Sequence, residues 1–297
     1  MAARDLLSVI LIMAIFGSAY VVGKLGVDHF PPIAFAGLRS VILAAALLPL
    51  WRLETPPRSY WPVLAGFCLT MGTAVYATMY VALMLADTVA PIVIGTQLSV
   101  PFAVLLGLVV LKEPVRPATW AAILAAFGGV VVIAFDPRLG EDLPALGAIA
   151  VSAFCYALAT MFARSLRGVG SFAMNGWMAL SAILPLGLLS LAFEDGQWAA
   201  IRSAGWLEWG VLLHSALLVS LVGHVWMFSL YRRYPVASVI PFYVLMPVFG
   251  VAMSLVVFAE IPTAQTLIGG AIVLAATYAV NRTTTRDRET RVAKARD

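Results

Sequence analysis

Ten stretches of about twenty apolar residues follow one another along the chain, near 6–23, 33–51, 61–84, 89–111, 118–135, 144–163, 172–193, 206–230, 236–258 and 264–280. A helix of about 20 apolar residues crosses the hydrocarbon core of a bilayer. In that medium only structures that satisfy every backbone N–H and C=O internally persist. The runs are continuous rather than alternating, which excludes the period-two pattern of a β-barrel. The breaks between them are short and rich in turn residues: Pro31-Pro32, Thr55 to Arg58, Pro114 to Pro117, Asp136-Pro137, Gly168 to Gly170, Asp195-Gly196 and Pro262. The expected fold class is all-α integral membrane, with ten antiparallel transmembrane helices forming a single integral membrane domain over 1–297. Charge usage agrees: 11% of the 297 residues are charged, against about 25% in soluble domains, too few to cover a water-facing surface.

The first run follows Arg4, and Gly17-Ser18-Ala19 has the look of a cleavage region, but the run continues into a repeated unit and reads as a retained span. Cys68 and Cys155 lie inside apolar runs without CxxC spacing and read as small apolar fillers.

Basic residues orient the spans. With the N-terminus in the cytoplasm, fifteen Lys and Arg fall on the inner side, among them Arg52, Arg58, Arg116, Arg232, Arg233 and the tail beyond Arg282. Three fall outside (Lys24, Arg138 and Arg202), and Arg39 lies within a span. The positive-inside rule therefore places both termini in the cytoplasm. The net charge of +4 reflects this bias and gives no reason to expect nucleic acid. The tail RTTTRDRETRVAKARD reads as a solvated topological anchor, since acidic residues interrupt it.

Two spans echo each other. TVAPIVIGTQLSVPFAVLLGLVVLKE (88–113) aligns without a gap with PVASVIPFYVLMPVFGVAMSLVVFAE (235–260), ending on Glu113 and Glu260. They are the fourth and ninth spans, so they cross the membrane in opposite directions. This is the sequence signature of an inverted repeat, with halves over 1–137 and 138–297. Pro101, Pro241 and Pro247 inside the pair remove helix bonds to the carbonyls of Gln97, Ala237 and Tyr243, and freed carbonyls in a bilayer must find partners or line a wet cavity. Two halves inserted oppositely around a central cavity allow alternating access.

The segment FGSAYVVGKLGVDHFPPIAFAGLRS (16–40) resembles the first two spans of EamA-like permeases of the drug/metabolite transporter superfamily, through Phe16-Gly17, Lys24, Pro31-Pro32 and Gly37-Leu38-Arg39. Phe16 stands where Trp is usual. The ending LKEPVRP resembles the family's Gly-Glu ending, with Lys112 in place of Gly, and Glu260 closes span 9 in the same way. VGHVWMFSLYRRYPVASVIPFYVLMPVFG (222–250) and Gln97 look nearest the O-acetylserine/cysteine and amino-acid exporter branch. The resemblance implies ten helices in two inverted five-helix repeats around a central cavity.

A polar solute crossing such a cavity needs contacts near the midplane. The candidates are Phe16 and Tyr20 in span 1, Tyr76 and Tyr80 on one face of span 3, Gln97 one turn before Pro101, and Phe154 and Tyr156 in span 6. Ser220, His224, Trp226, Phe242 and Tyr243 follow in spans 8 and 9. Aromatic faces attract ammonium groups, and an amide in lipid is costly unless it faces protein or water. His224 is read as the histidine deep in a span, with Ser220 one turn away on the same face. The competing reading for each aromatic is packing, and Trp51, Trp61, Trp120 and Trp206 near span ends read as an interface belt. Lys24 and Arg39 are candidates for a substrate carboxylate, Arg39 more as a tie from span 2 to carbonyls. Glu113 and Glu260 are expected to pair structurally across loops, and with Pro101, Pro241 and Pro247 they form the structural or gating set.

The expected function is export of amino acids and related small metabolites from the cytoplasm across a bacterial-type inner membrane. The small-molecule substrate and the lipid bilayer are the expected partners; no cofactor or metal is expected. No Asp or Glu sits mid-span, so facilitated diffusion, exchange or weak proton coupling through His224 is expected. A nucleotide-sugar carrier would want several deep Lys or Arg. A membrane enzyme is disfavoured by the absence of HExxH, Gly-x-Ser-x-Gly, a carboxylate cluster or a phosphate loop. Small residues in span 5 (Gly128, Gly129) and span 10 (Gly269, Gly270) permit close packing within the chain or in a homodimer.

Overall fold

The computed structural model describes residues 3–51, 55–112, 115–136, 143–166, 169–231, 233–234 and 239–294. Among them every regular element is helical. Among the described residues nine helices are long and apolar enough to cross a membrane: Arg4–Val27, Pro32–Pro49, Arg58–Leu85, Val89–Val110, Pro117–Ala134, Leu143–Ser165, Phe172–Phe193, Trp206–Met227 and Ala264–Thr283. A shorter apolar helix, Phe242–Phe258, occupies the place of the ninth expected span. Spans 1 to 10 below follow this chain order. Two features were not expected: a short helix, Gln197–Ser203, between spans 7 and 8, and a last helix that continues to Lys294.

The outside of the bundle is apolar. On span 7 Leu184, Leu188 and Leu191 point outward, and Val109 and Val256 do so near the ends of spans 4 and 9. A surface of this kind suits hydrocarbon. Trp61, Trp120 and Trp206 are also exposed at span ends; the side chain of Trp51 lies outside the described residues.

The closest packing runs between the two halves of the chain. Span 1 lies along span 9, span 2 along span 7, spans 3 and 4 along span 6, and span 5 along span 10. Glycines set two of these approaches. A Cβ on Gly17 would sit 2.7 Å from the Met246 carbonyl oxygen and 2.8 Å from the Gly250 nitrogen. A Cβ on Gly129 would sit 2.8 Å from the Gly269 carbonyl oxygen. The glycine pair of spans 5 and 10 is therefore used inside the chain, and Gly270 packs on Ile94, whereas Gly128 faces open space.

Four spans depart from regular winding, at paired places. Spans 3 and 8 widen to π-helical turns at Cys68–Val75 and His214–Gly223. Spans 4 and 9 tighten to 3-10 turns at Thr96–Leu98 and Ile240–Val244, just ahead of Pro101 and Pro247. Proline cannot donate to the carbonyl four residues back, so the turn before it is free to tighten. Pro241 falls in the first turn of the second 3-10 segment, where a missing N–H is tolerated. Spans 4 and 9 also end alike: Lys112 and Ala259 take left-handed backbone with φ of 52° and 55°. Glycine is the residue that adopts this conformation without strain, which accounts for the resembling family's usual Gly at the place of Lys112.

Alternating spans bring the start of span 1 and the end of span 10 to one end of the bundle. Asp5 there accepts from the Tyr234 hydroxyl at 2.7 Å and pairs with Arg233 at 3.3 Å. The opposite end carries ties of its own. Lys24 donates to the Ala86 carbonyl at 2.9 Å and pairs with Asp28 at 3.4 Å. Glu260 accepts from the Val89 N–H at 2.9 Å, which seats a carboxylate at the N-terminus of span 4. Glu194 does the same for span 2, accepting from Ile33 at 2.7 Å and Ala34 at 2.9 Å. Thr263 donates to Asp136, and His29 Nε2 lies 2.9 Å from the Ala200 carbonyl. Glu113, the sequence partner of Glu260, lies outside the described residues.

Candidate functional site

A cavity of about 500 Å³ opens between the spans, within the ~300–1,000 Å³ range usual for small-molecule sites. Its wall draws on both halves: Phe16 and Tyr20 from span 1, Met71, Val75, Tyr76 and Met79 from span 3, and Thr96, Gln97, Ser99 and Val100 from span 4. The second half adds Ser152, Ala153, Tyr156 and Thr160 from span 6, His224 and Met227 from span 8, Tyr243 and Met246 from span 9, and Asn281 from span 10. None of these side chains is charged. Thr160 and Asn281 lie toward the end that carries the termini, so the cavity reaches from the middle of the bundle to that end. On the other side it is closed by a buried aromatic layer, in which Phe35 meets Tyr80 edge-on at 4.8 Å and Phe30 at 6.0 Å.

The irregular turns place the polar groups. A π-helical turn leaves carbonyls poorly matched to the usual donor and available to others. In span 8, His224 Nδ1 lies 3.2 Å from both the Val219 and Ser220 carbonyls. Two acceptors around Nδ1 put the hydrogen of the neutral ring there and leave Nε2 as an acceptor. The Ser215 carbonyl accepts from Ser220 Oγ at 3.0 Å and from Arg39 Nε at 3.3 Å. In span 3 the Val75 carbonyl accepts from Ser152 of span 6 at 2.9 Å. Each widened segment thus holds a neighbouring span through a carbonyl that a regular helix would have kept for itself.

Seven of the residues expected from sequence meet at the wall: Phe16, Tyr20, Tyr76, Gln97, Tyr156, His224 and Tyr243. The Phe16 ring lies 5.1 Å from the His224 ring and 6.5 Å from that of Tyr243. Five do not line it. Ser220 is buried and turned away, its hydroxyl taking a hydrogen bond from Arg39 Nη2. Tyr80 sits one turn above Tyr76 within the closing layer, the two rings 6.2 Å apart. Phe154 points outward and meets Phe102 edge-on at 5.6 Å. Trp226 and Phe242 pack on an apolar cluster around Val9, Ile12, Met13 and Val239. For these five the helical face was not enough: neighbours from other spans claim the side chain.

Of the charged candidates, Lys24 serves the closed end. Arg39 is only 2% exposed and lies directly behind the wall, its guanidinium carbon 3.7 Å from the centroid of the Tyr76 ring. Pro101 and Pro247 are buried in spans 4 and 9, and the side chain of Pro241 lies outside the described residues. Sequence reading passed over the wall's small hydroxyls (Thr96, Ser99, Ser152, Thr160) and Asn281, which have no motif to mark them, and singled out none of its methionines by position. It also passed over His214, a second histidine within span 8, whose Nε2 lies 3.1 Å from Ser18 Oγ of span 1.

Comparison with known proteins agrees with this architecture. The EamA-like transporter family matches the chain twice, over residues 4–135 and 143–282. A protein of Escherichia coli strain K12 named "Probable amino-acid metabolite efflux pump" is 25% identical over 94% of this chain and 95% of its own length. Its namesake in Salmonella typhimurium is 26% identical over the same shares. One crystal structure has this fold with a TM-score of 0.65 at 20% identity, covering 94% of this chain and 96% of the other. The two family matches take in nearly the whole length, and the chain is a member of the EamA-like transporter family of the drug/metabolite transporter superfamily, a multi-pass membrane protein built for transport.

Proposed function

We propose that this transporter exports amino acids and related small metabolites from the cytoplasm by alternating access, in a bacterial-type inner membrane with both termini cytoplasmic. The observation that carries this reading is the cavity wall: tyrosines, methionines, small hydroxyls, two amides and one imidazole, with no charged side chain among the described residues. Such a wall offers hydrogen bonds to an ammonium and a carboxylate and apolar surface to a side chain. The names of the bacterial relatives support the same substrate class. A nucleotide-sugar carrier is the second reading and is weaker, because no Lys or Arg lines the cavity among the described residues to meet a diphosphate.

Alternating access rests on the reading of two inverted halves, 1–137 and 138–297. Its supports are the π-helical turns in spans 3 and 8, the 3-10 turns in spans 4 and 9, and the left-handed ends at Lys112 and Ala259. In this reading the cavity is open to the cytoplasm and the ties at Lys24, Glu194 and Glu260 close the outside. The neutral wall favours facilitated diffusion or exchange, with His224 as the group for any weak proton coupling.

Counterflow in proteoliposomes tests the proposal, with labelled amino acids run against nucleotide sugars. Amino acids should exchange in wild type and drop by about tenfold in His224→Ala and Gln97→Ala. Exchange of nucleotide sugars alone, or both variants at wild-type rate, would overturn it. Uptake that vanishes at neutral pH when the pH gradient is removed would refute the uncoupled form.

A further inference from the structure

Arg39 is a cation buried in the bundle, and among the described residues no carboxylate pairs with it. Its neighbours are neutral: the Ser215 carbonyl, the Ser220 hydroxyl and the face of Tyr76. A buried charge is ordinarily matched by an opposite one. Here hydrogen bonds and a ring face hold the guanidinium without cancelling its charge. The other side of the relationship is the cavity, whose wall includes Tyr76 and, among the described residues, no charged one. The field inside is therefore set by what stands behind the wall. His224, also in the wall, faces the carbonyl of Ser220, whose hydroxyl takes the hydrogen bond from Arg39. A guanidinium over the ring of Tyr76 also withdraws electron density from it and makes its hydroxyl a stronger donor.

We propose that Arg39, acting through Tyr76, sets the charge preference of the cavity, so that a solute carboxylate is seated against Tyr76 and decarboxylated or esterified counterparts are disfavoured. This rests on the reading of the cavity as an amino-acid site and adds which end of the solute lies where. Arg39 is then a specificity-determining residue that does not touch the solute. The competing role, a structural tie between spans 2 and 8, predicts no dependence on solute charge. For a unit charge one ring thickness beyond Tyr76, at the effective dielectric of protein sites, the preference is on the order of tenfold.

The test reads charge independently of transport. Cys68 and Cys155 are replaced by alanine and Met71→Cys is introduced; Met71 lines the cavity five residues before Tyr76, about one π-helical turn away. Reaction rates with an anionic and a cationic methanethiosulfonate of matched size are each divided by the rate with free cysteine. The anionic reagent should be favoured by about tenfold, and the preference should collapse toward unity in Arg39→Gln and in Ser220→Asp, which sets a carboxylate against the guanidinium without removing it. A ratio at or below unity with Arg39 in place overturns the proposal, as does an unchanged ratio in either variant that elutes as a folded monodisperse protein, or reaction with neither reagent. If neither variant folds, the ratio in the Arg39 background decides alone. In parallel, counterflow compares each amino acid with its methyl ester. If wild type moves none of them, the export reading falls while the thiol ratio still reports on Arg39.

Discussion

The guanidinium carbon of Arg39 in span 2 lies over the ring of Tyr76 in span 3, 3.7 Å from its centroid, on the edge of the central cavity. Buried cation–π contacts of this kind contribute about 2 kcal/mol when desolvated. Tyr76→Phe keeps the ring face and should leave thermal stability in detergent within a few tenths of a kcal/mol. Tyr76→Leu removes it and should lower stability by about 2 kcal/mol. Equal melting of the two variants would show that the contact contributes nothing.

Spans 1 and 9 touch backbone to backbone at Gly17 and Gly250. Gly17→Ala would drive a Cβ to 2.7 Å from the Met246 carbonyl oxygen, and neither backbone can move without displacing a span. A loss of about 1–3 kcal/mol is expected, as for overpacked cores. Gly128→Ala, which meets nothing within 4 Å, should be neutral or slightly stabilising. The two melting temperatures, measured side by side, check the assignment of this helix contact.

Glu260 closes the end of the bundle opposite the termini by accepting from the Val89 N–H. Glu260→Ala should cost about 1 kcal/mol, the usual worth of a helix N-terminal acceptor, and should raise labelling of a cysteine placed at Asp87 from the side of the bilayer opposite the termini. Glu260→Gln keeps an acceptor and should lie between the two. No change in labelling would remove Glu260 from the closure.

Lys112 and Ala259 hold left-handed backbone with side chains that disfavour it. Lys112→Gly and Ala259→Gly should each stabilise by about 1 kcal/mol, read as higher melting temperatures. Destabilisation by both would mean that the spans do not end in this conformation.

Among the expected site residues, those in the wall should matter and those outside it should not. His224→Ala and Gln97→Ala should reduce exchange by about tenfold, whereas Trp226→Leu and Phe242→Leu should stay within about twofold. The reverse pattern in the counterflow assay would place the solute path elsewhere.

The sequence by itself determined the all-helical membrane class and the approximate places of nine long apolar helices and a shorter one. These are one-dimensional properties: apolar run length is dictated by bilayer thickness, and prolines and turn residues act on their own backbone. Even the cavity's chemical character was legible, because Gln97, His224 and the tyrosines are expensive in lipid wherever they stand. Which of them meet was not. Tyr76 and Tyr80 share a helix face, yet one borders the cavity and the other closes its far end, because Phe35 of span 2 packs against the second. Ser220 and His224 are also one turn apart, and Arg39, far away in sequence, draws the serine out of the wall. Only tertiary structure decided these outcomes, since side chains of other spans compete for each polar or aromatic group, and that competition leaves no mark on local sequence.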